Sequence, residues 1–192
     1  MNLTLRRPER SDLDVVVDWL SDPAFRRFIY GDNERMKRQM GSQILAMLGG
    51  ALTMPIATAG HFICDAENRG PVGLASVLDL SWRNRSCTVS TYNAQRHDAE
   101  AFYEGACFRI VEYAFDELNL HRVSARVDAA DTLAQDAYAR LGAVREVVYH
   151  RHALCDGSPC DVYGYGLLRA DFDTIRAEGG WQQDRAEVSH GA

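Results

Sequence analysis

The sequence predicts an α/β protein, α+β in its detailed layout, with a mixed sheet of about seven strands and helices on both faces. Three observations carry that expectation. Short runs of alternating apolar and polar residues recur along the chain and are separated by turn residues. Between them lie longer segments whose apolar residues repeat at steps of three and four. The chain has 192 residues, 46% hydrophobic and 25% charged, which suits one core of ordinary composition and leaves disorder only at the ends.

The elements follow in order. Leu3 and Leu5 alternate with polar neighbours and give a short strand that Pro8 follows. Ser11 is a plausible N-cap for a helix whose apolar side carries Leu13, Val16, Val17 and Leu20, and Asp22-Pro23 stops it. A second helix is expected over residues 34–48, on Met36, Met40, Ile44 and Met47, before Gly49-Gly50 and Pro55. A meander of strands comes next, over 59–65, 72–80 and 86–92, with turns at 68–71 and 83–85. Residues 99–118 form the longest helical pattern, apolar at Phe102, Ala106, Ile110 and Ala114. A strand over 121–127 precedes a helix over 131–141 that Gly142 closes. Strands over 144–154 and 162–168 make a final hairpin around Asp156-Gly157. These elements give a single domain over residues 1–178 without internal repeats, followed by a polar tail over 179–192.

Composition narrows the function. The net charge of −6 argues against a broad nucleic-acid face, although Arg26, Arg27, Arg35, Lys37 and Arg38 crowd one stretch. That stretch reads as the solvated side of helices, or else as a phosphate-binding surface. No apolar run reaches the roughly 20 residues that cross a bilayer, and no signal peptide opens the sequence, so a cytoplasmic protein without membrane contact is expected. Five cysteines are then thiols by default. Cys155 and Cys160 flank the hairpin turn and are placed to face each other, but their spacing matches no familiar zinc site, and no metal is expected.

The second half of the chain carries a family resemblance. Residues 112–123, Glu-Tyr-Ala-Phe-Asp-Glu-Leu-Asn-Leu-His-Arg-Val, are similar to the end of a central helix and the following strand in the GNAT superfamily of N-acyltransferases. Ala134, Tyr138, Ala139, Arg140, Leu141 and Gly142 match its next helix. Asp156-Gly157 through Gly166-Leu167-Leu168-Arg169 match its closing hairpin, and Leu5-Arg6, Pro8 and Asp22-Pro23 are weaker echoes. The wording most resembles the branch of ribosomal-protein alanine N-acetyltransferases. The resemblance implies a splayed pair of parallel strands, 86–92 and 121–127, that receives an acyl-CoA arm as co-substrate. An amine from a small molecule or a peptide then attacks the thioester directly. Proximity and a backbone N–H for the oxyanion supply most of the catalysis. Oligomeric state stays open, with a homodimer the commonest arrangement.

Two departures qualify that expectation. The family's glycine-rich pyrophosphate turn falls here on Gln95-Arg96-His97-Asp98-Ala99-Glu100-Ala101-Phe102-Tyr103, where the glycines are missing and Asp98 and Glu100 oppose a phosphate. Gly105 is a displaced remnant only if the register slips. The turn is therefore either a reshaped coenzyme A site using Arg96, or a sign that the donor is an aminoacyl-tRNA. In the second case Arg26–Arg38, Arg83, Arg85 and Arg96 would meet RNA phosphates. A third alternative is a scaffold that binds a ligand without turnover. The second departure is Thr88, which stands where relatives carry a carboxylate base, leaving His97 and Asp98, close by in sequence, as candidates. Tyr138 matches the tyrosine that protonates the departing thiolate; a phenol with a pKa of about 10 suits that task. Val89, Ser90, Gln95, Arg96, Tyr103 and Asp131 are the donor-side candidates by the same resemblance, while His61, Tyr92 and Tyr163 are weaker candidates for the acceptor side.

Overall fold

A computed structural model describes residues 1–30, 59–95, 98–155 and 157–179. Seven strands form one sheet: β1 (Leu3–Arg6), β2 (Gly60–Ala66), β3 (Gly70–Ser81), β4 (Ser86–Asn93), β5 (Arg122–Asp128), β6 (Val144–Cys155) and β7 (Ser158–Leu168). Their spatial order is β1-β2-β3-β4-β5-β7-β6. Hairpin-type neighbours pair antiparallel, and β4 pairs with β5 in parallel. The described helices are α1 (Leu13–Trp19), α2 (Pro23–Tyr30), α3 (Ala99–Glu112), α4 (Thr132–Arg140) and α5 (Arg169–Ala177). A π-helical turn over Tyr113–Glu117 continues α3.

Strand alternation sorts side chains onto two faces. Phe62, Ala75, Val89, Val123, Ala125 and Leu167 point to one side and pack on Phe102, Ala106, Cys107 and Ile110 of α3. Ile63, Leu74 and Tyr92 point the other way and meet Val16, Trp19 and Phe25 of α1 and α2. Gly105 belongs to the first packing face: a Cβ there would lie 2.8 Å from Leu3 Cδ1. Its bare backbone lets α3 lie against β1, so it is a packing glycine in mid-helix and not a displaced phosphate turn.

Several boundaries differ from expectation for identifiable reasons. Ser11 does not cap α1. Glu9 and Asp12 form a capping box around a 3-10 turn, Arg10–Asp12, and Asp12 accepts from the Glu9 amide at 2.6 Å and from Arg6 at 2.7 Å. Pro23 opens α2 as well as following α1. Its lost N–H is harmless in a first turn, and Asp22 Oδ1 accepts the Ala24 amide at 2.9 Å. β7 begins at Ser158, four residues before the expected start, because the two-strand ladder continues to Cys155↔Ser158. The described chain also includes α5, which sequence periodicity left out; Phe172, fully buried, is the side chain that anchors it. Gly142 takes the expected left-handed position at φ +86 after α4. The helix expected over residues 34–48 and the tail from 180 onward lie outside the described residues.

Candidate active site

β4 and β5 are hydrogen-bonded neighbours over four residue pairs, from Ser86↔Arg122 to Val89↔Ala125. Beyond that point each strand is committed elsewhere. Ser90–Asn93 stay on β3, through Ser90↔Ser76 to Asn93↔Gly73. Residues 126–128 stay on β7, through Arg126↔Gly164 to Asp128↔Val162. The strands therefore diverge and open a cleft of about 1250 Å³. Ser90, Thr91 and Tyr92 form one wall, and Arg126, Val127 and Asp128 the other.

The α3/α4 side of this cleft carries two tyrosines. Tyr138, on α4, lines the cleft although it is only 3% exposed. Burial holds its pKa well above the ordinary phenol value, and its hydroxyl shares hydrogen bonds with Cys107 and Thr91. Such a phenol stays protonated and keeps its O–H, but its raised pKa makes it a weaker acid than the phenol of about 10 that the resemblance implies. Cys107 is pushed up to about 12 by burial, so its thiol is not a nucleophile at neutral pH. Tyr103 donates to Asp131 Oδ2 at 3.0 Å, while Asp131 Oδ1 accepts the Ala134 amide at 3.1 Å and caps α4. One carboxylate thus fixes a helix end and a cleft tyrosine together.

The mouth of the cleft meets the N-terminus of α3, where Gln95 and Ala99 line it. Asp98 sits in the left-handed region at φ 59 and makes no side-chain cap bond; its carboxylate goes instead to Arg69 at 2.8 Å. Glu100 lies 3.5 Å from Arg140, which also contacts Glu104. On the opposite face, Arg27 and Phe28 of α2 line the cleft beside Tyr92, whose hydroxyl donates to Asp22 at 2.8 Å. The Arg126 guanidinium lies 5.7 Å from the Tyr149 ring.

Residues 2–144 match the family described as the acetyltransferase (GNAT) domain. The chain belongs to that family. It is a GNAT-type acyltransferase, and the seven-stranded sheet with its splayed parallel pair is the GNAT fold. The chain is 24% identical over 176 residues to an uncharacterized N-acetyltransferase p20 of Bacillus licheniformis, across 88% of this chain and 94% of the relative. It is 24% identical over 101 residues to a putative ribosomal N-acetyltransferase of Bacillus subtilis (strain 168), across 53% and 55% of the two chains. The fold is similar to that of a spermidine N-acetyltransferase from Vibrio cholerae solved with CoA and spermine. There the TM-score is 0.76 at 19% identity, over 88% of this chain and 97% of the other.

Within this GNAT domain the expected site residues separate. Tyr138, Ser90, Gln95, Tyr103, Asp131 and Arg27 come together around the cleft. Thr88 does not line it; Thr88 pairs with Leu78 and Ser124 inside the closed ladder. Val89 is buried and ends that ladder, at the floor of the opening. Among the acceptor candidates Tyr92 lines the cleft. His61 instead bonds Ser76 Oγ at 2.8 Å and its pKa is lowered by burial, and Tyr163 stacks under Arg145 at 4.6 Å. Arg96, His97, Arg35, Lys37 and Arg38 lie outside the described residues.

Among the described residues of the possible phosphate-binding set, Arg83 and Arg85 lie apart from Arg26 and Arg27. Arg26 donates to the carbonyls of Leu20 and Ser21, at 2.7 and 2.9 Å. Arg83 lies in the turn before β4, and Arg85 donates to the Asn119 carbonyl at 2.6 and 2.9 Å. Both sit at the start of β4, the end away from the cleft that Arg27 lines. The expectation of free thiols is also corrected for one pair, since Cys155 and Cys160 form a disulfide across the hairpin; Cys64, Cys87 and Cys107 are buried thiols. Sequence reasoning missed Thr91, Arg126, Asp128 and Cys155 as cleft residues. Thr91 was within reach, since it shares the fourth strand with Ser90 and alternates with it.

Proposed function

We propose that this protein acetylates an amine using acetyl-CoA, by direct attack in the cleft between β4 and β5. The observation that carries the reading is the ladder ending at Val89↔Ala125 with the buried phenol of Tyr138 on the opening it leaves. Past Val89 the β4 edge that faced β5 loses its ladder partner, and a backbone N–H on that edge receives the oxyanion. The amine nitrogen bonds to the thioester carbon, the C–S bond breaks, and Tyr138 gives its proton to the departing sulfur. The ammonium proton leaves to solvent, and Tyr138 regains a proton from solvent before the next turnover. The diphosphate of the donor rests at the N-terminus of α3, whose first amides the Asp98 side chain does not cap.

The acids that argue against coenzyme A in the sequence are tied to Arg69 and Arg140, which removes much of their repulsion. That pairing, with the acetyltransferase relatives and the CoA-bound neighbour, favours acetyl-CoA over aminoacyl-tRNA as donor. The acceptor is an amine of a small molecule, the class named for the spermidine N-acetyltransferase neighbour, or a peptide N-terminus. Acetyl-CoA titrated into the protein is expected to give saturable heat; no heat at millimolar ligand overturns the donor assignment. A turnover screen pairing acetyl-CoA with spermidine and with peptide N-termini then finds the acceptor. Silence of every amine tested would favour a scaffold that binds without turnover.

A further inference from the structure

The tip of the β6–β7 hairpin brings together three metal-ligating groups that no step of acyl transfer uses. Cys155 ends β6 and Cys160 lies two residues into β7, with Cα atoms 5.8 Å apart. Asp128 reaches the same place from β5, because β5 pairs with β7 through Asp128↔Val162 and the Ala129 amide donates to Asp161 O at 2.9 Å. The two sulfurs and a carboxylate oxygen of Asp128 all lie within 4.8 Å of one another. Sequence spacing offered only a pair of cysteines; the fold supplies the third ligand.

We propose that the reduced pair, with Asp128, is a zinc site in the wall of the cleft. A tetrahedral Zn²⁺ with bonds of about 2.3 Å to sulfur and about 2.1 Å to oxygen holds its ligands roughly 3.5–3.8 Å apart. Cleaving the S–S bond lets the sulfurs relax to that spacing across the hairpin, and the carboxylate already stands within reach. Two thiolates select a borderline-soft ion over Mg²⁺ or Ca²⁺. Because Cys155 and Asp128 both line the cleft, the fourth coordination position opens into it and takes water. The disulfide and the metal use the same sulfur atoms and exclude each other. A phosphine delivers two electrons to the disulfide and becomes its oxide, with water supplying the oxygen and the two protons; the metal then displaces the two thiol protons.

The test uses full-length protein reduced with a phosphine under argon and titrated with Co²⁺ as the spectroscopic probe. One equivalent is expected to give thiolate-to-cobalt charge transfer and visible bands of tetrahedral intensity, which Zn²⁺ then bleaches. Zn²⁺ is also expected to release two protons and to slow labelling of the pair by a thiol reagent. Cys155→Ser and Cys160→Ser abolish the bands, Asp128→Asn weakens binding by about tenfold or more, and oxidised protein shows none. Reduced wild-type protein without a charge-transfer band overturns the site. So does a band that survives the double serine variant, with circular dichroism showing that variant folded. These readouts need neither donor nor acceptor, so the site and the proposed acetyl transfer fail separately.

Discussion

The two ends of the β4–β5 pair contrast sharply. At the closed end four residue pairs hold the strands together. Arginines there fasten loose carbonyls: Arg85 takes Asn119 O, and Arg169 Nε donates to Leu120 O at 3.1 Å. The Arg85 carbonyl accepts the His121 amide at 2.8 Å, and Leu120 beneath is fully buried. At the open end the same strands part, and the groups between them are side chains: Tyr138, Tyr103, Thr91 and Arg126. The Arg85, Asn119 and Leu120 carbonyls at the closed end have partners from the protein, while the open end leaves room for a ligand to be one. The difference teaches that the opening is made by commitment of each strand to its outer neighbour and needs no strained residue.

The largest expected effect breaks the closed end. Leu120→Ala should destabilise the protein by about 2–5 kcal/mol, the range for emptying a buried leucine site. Denaturant unfolding measures it, and a loss under about 1 kcal/mol would show that this end is not a core. Next comes the open end: Tyr138→Phe should lower kcat by roughly 100-fold or more, against a stability loss of only about 1–2 kcal/mol from the bonds of its hydroxyl. An unchanged kcat would remove the acid role. The stacked ring of Tyr165, 6.1 Å away, keeps the site packed in that variant. A smaller change sharpens the contrast. Tyr92→Phe deletes one bond to Asp22 and should cost about 1.5 kcal/mol. It should raise the KM for the amine more than it lowers kcat, since Asp22 and Tyr92 stand on the α2 wall.

The smallest effect serves as a control away from both ends. Burial lowers the pKa of His61 below its usual 6.5. The unfolded chain then binds that proton more readily, so stability is full above about pH 6.5 and declines as pH falls toward the folded value. His61→Gln should flatten this slope below about pH 6.5 without altering activity at pH 8. Equal slopes in both proteins would show that another group sets the acid response.

Much of the fold was legible because its signals are local. Strand alternation and turn residues located all seven strands, and the helical repeat of Phe102, Ala106 and Ile110 located α3. Tyr138 was legible through resemblance, and its position on an apolar helix face agrees with its burial. What failed depends on distance along the chain. Asp98 and Glu100 read as repulsive because Arg69 and Arg140, which neutralise them, come from other elements. Arg85 offered itself as a possible phosphate contact, and nothing local reveals that Asn119 will arrive beside it. Asp22-Pro23 carries a stop and a start in the same dipeptide, and only the packing of Phe25 against Tyr92, at 4.7 Å between rings, selects the second helix. α5 escaped notice because one phenylalanine anchors an otherwise polar segment.

Strand order has a consequence for assembly. β1 to β4 form one antiparallel meander, β5, β7 and β6 a second antiparallel block, and a short parallel seam joins them. Ser90, Thr91 and Tyr92 belong to the first block; Arg126, Asp131 and Tyr138 belong to the second. Neither block owns a reaction centre. During refolding, catalytic competence therefore requires the two blocks to meet, so the regain of turnover reports that the long-range seam has formed.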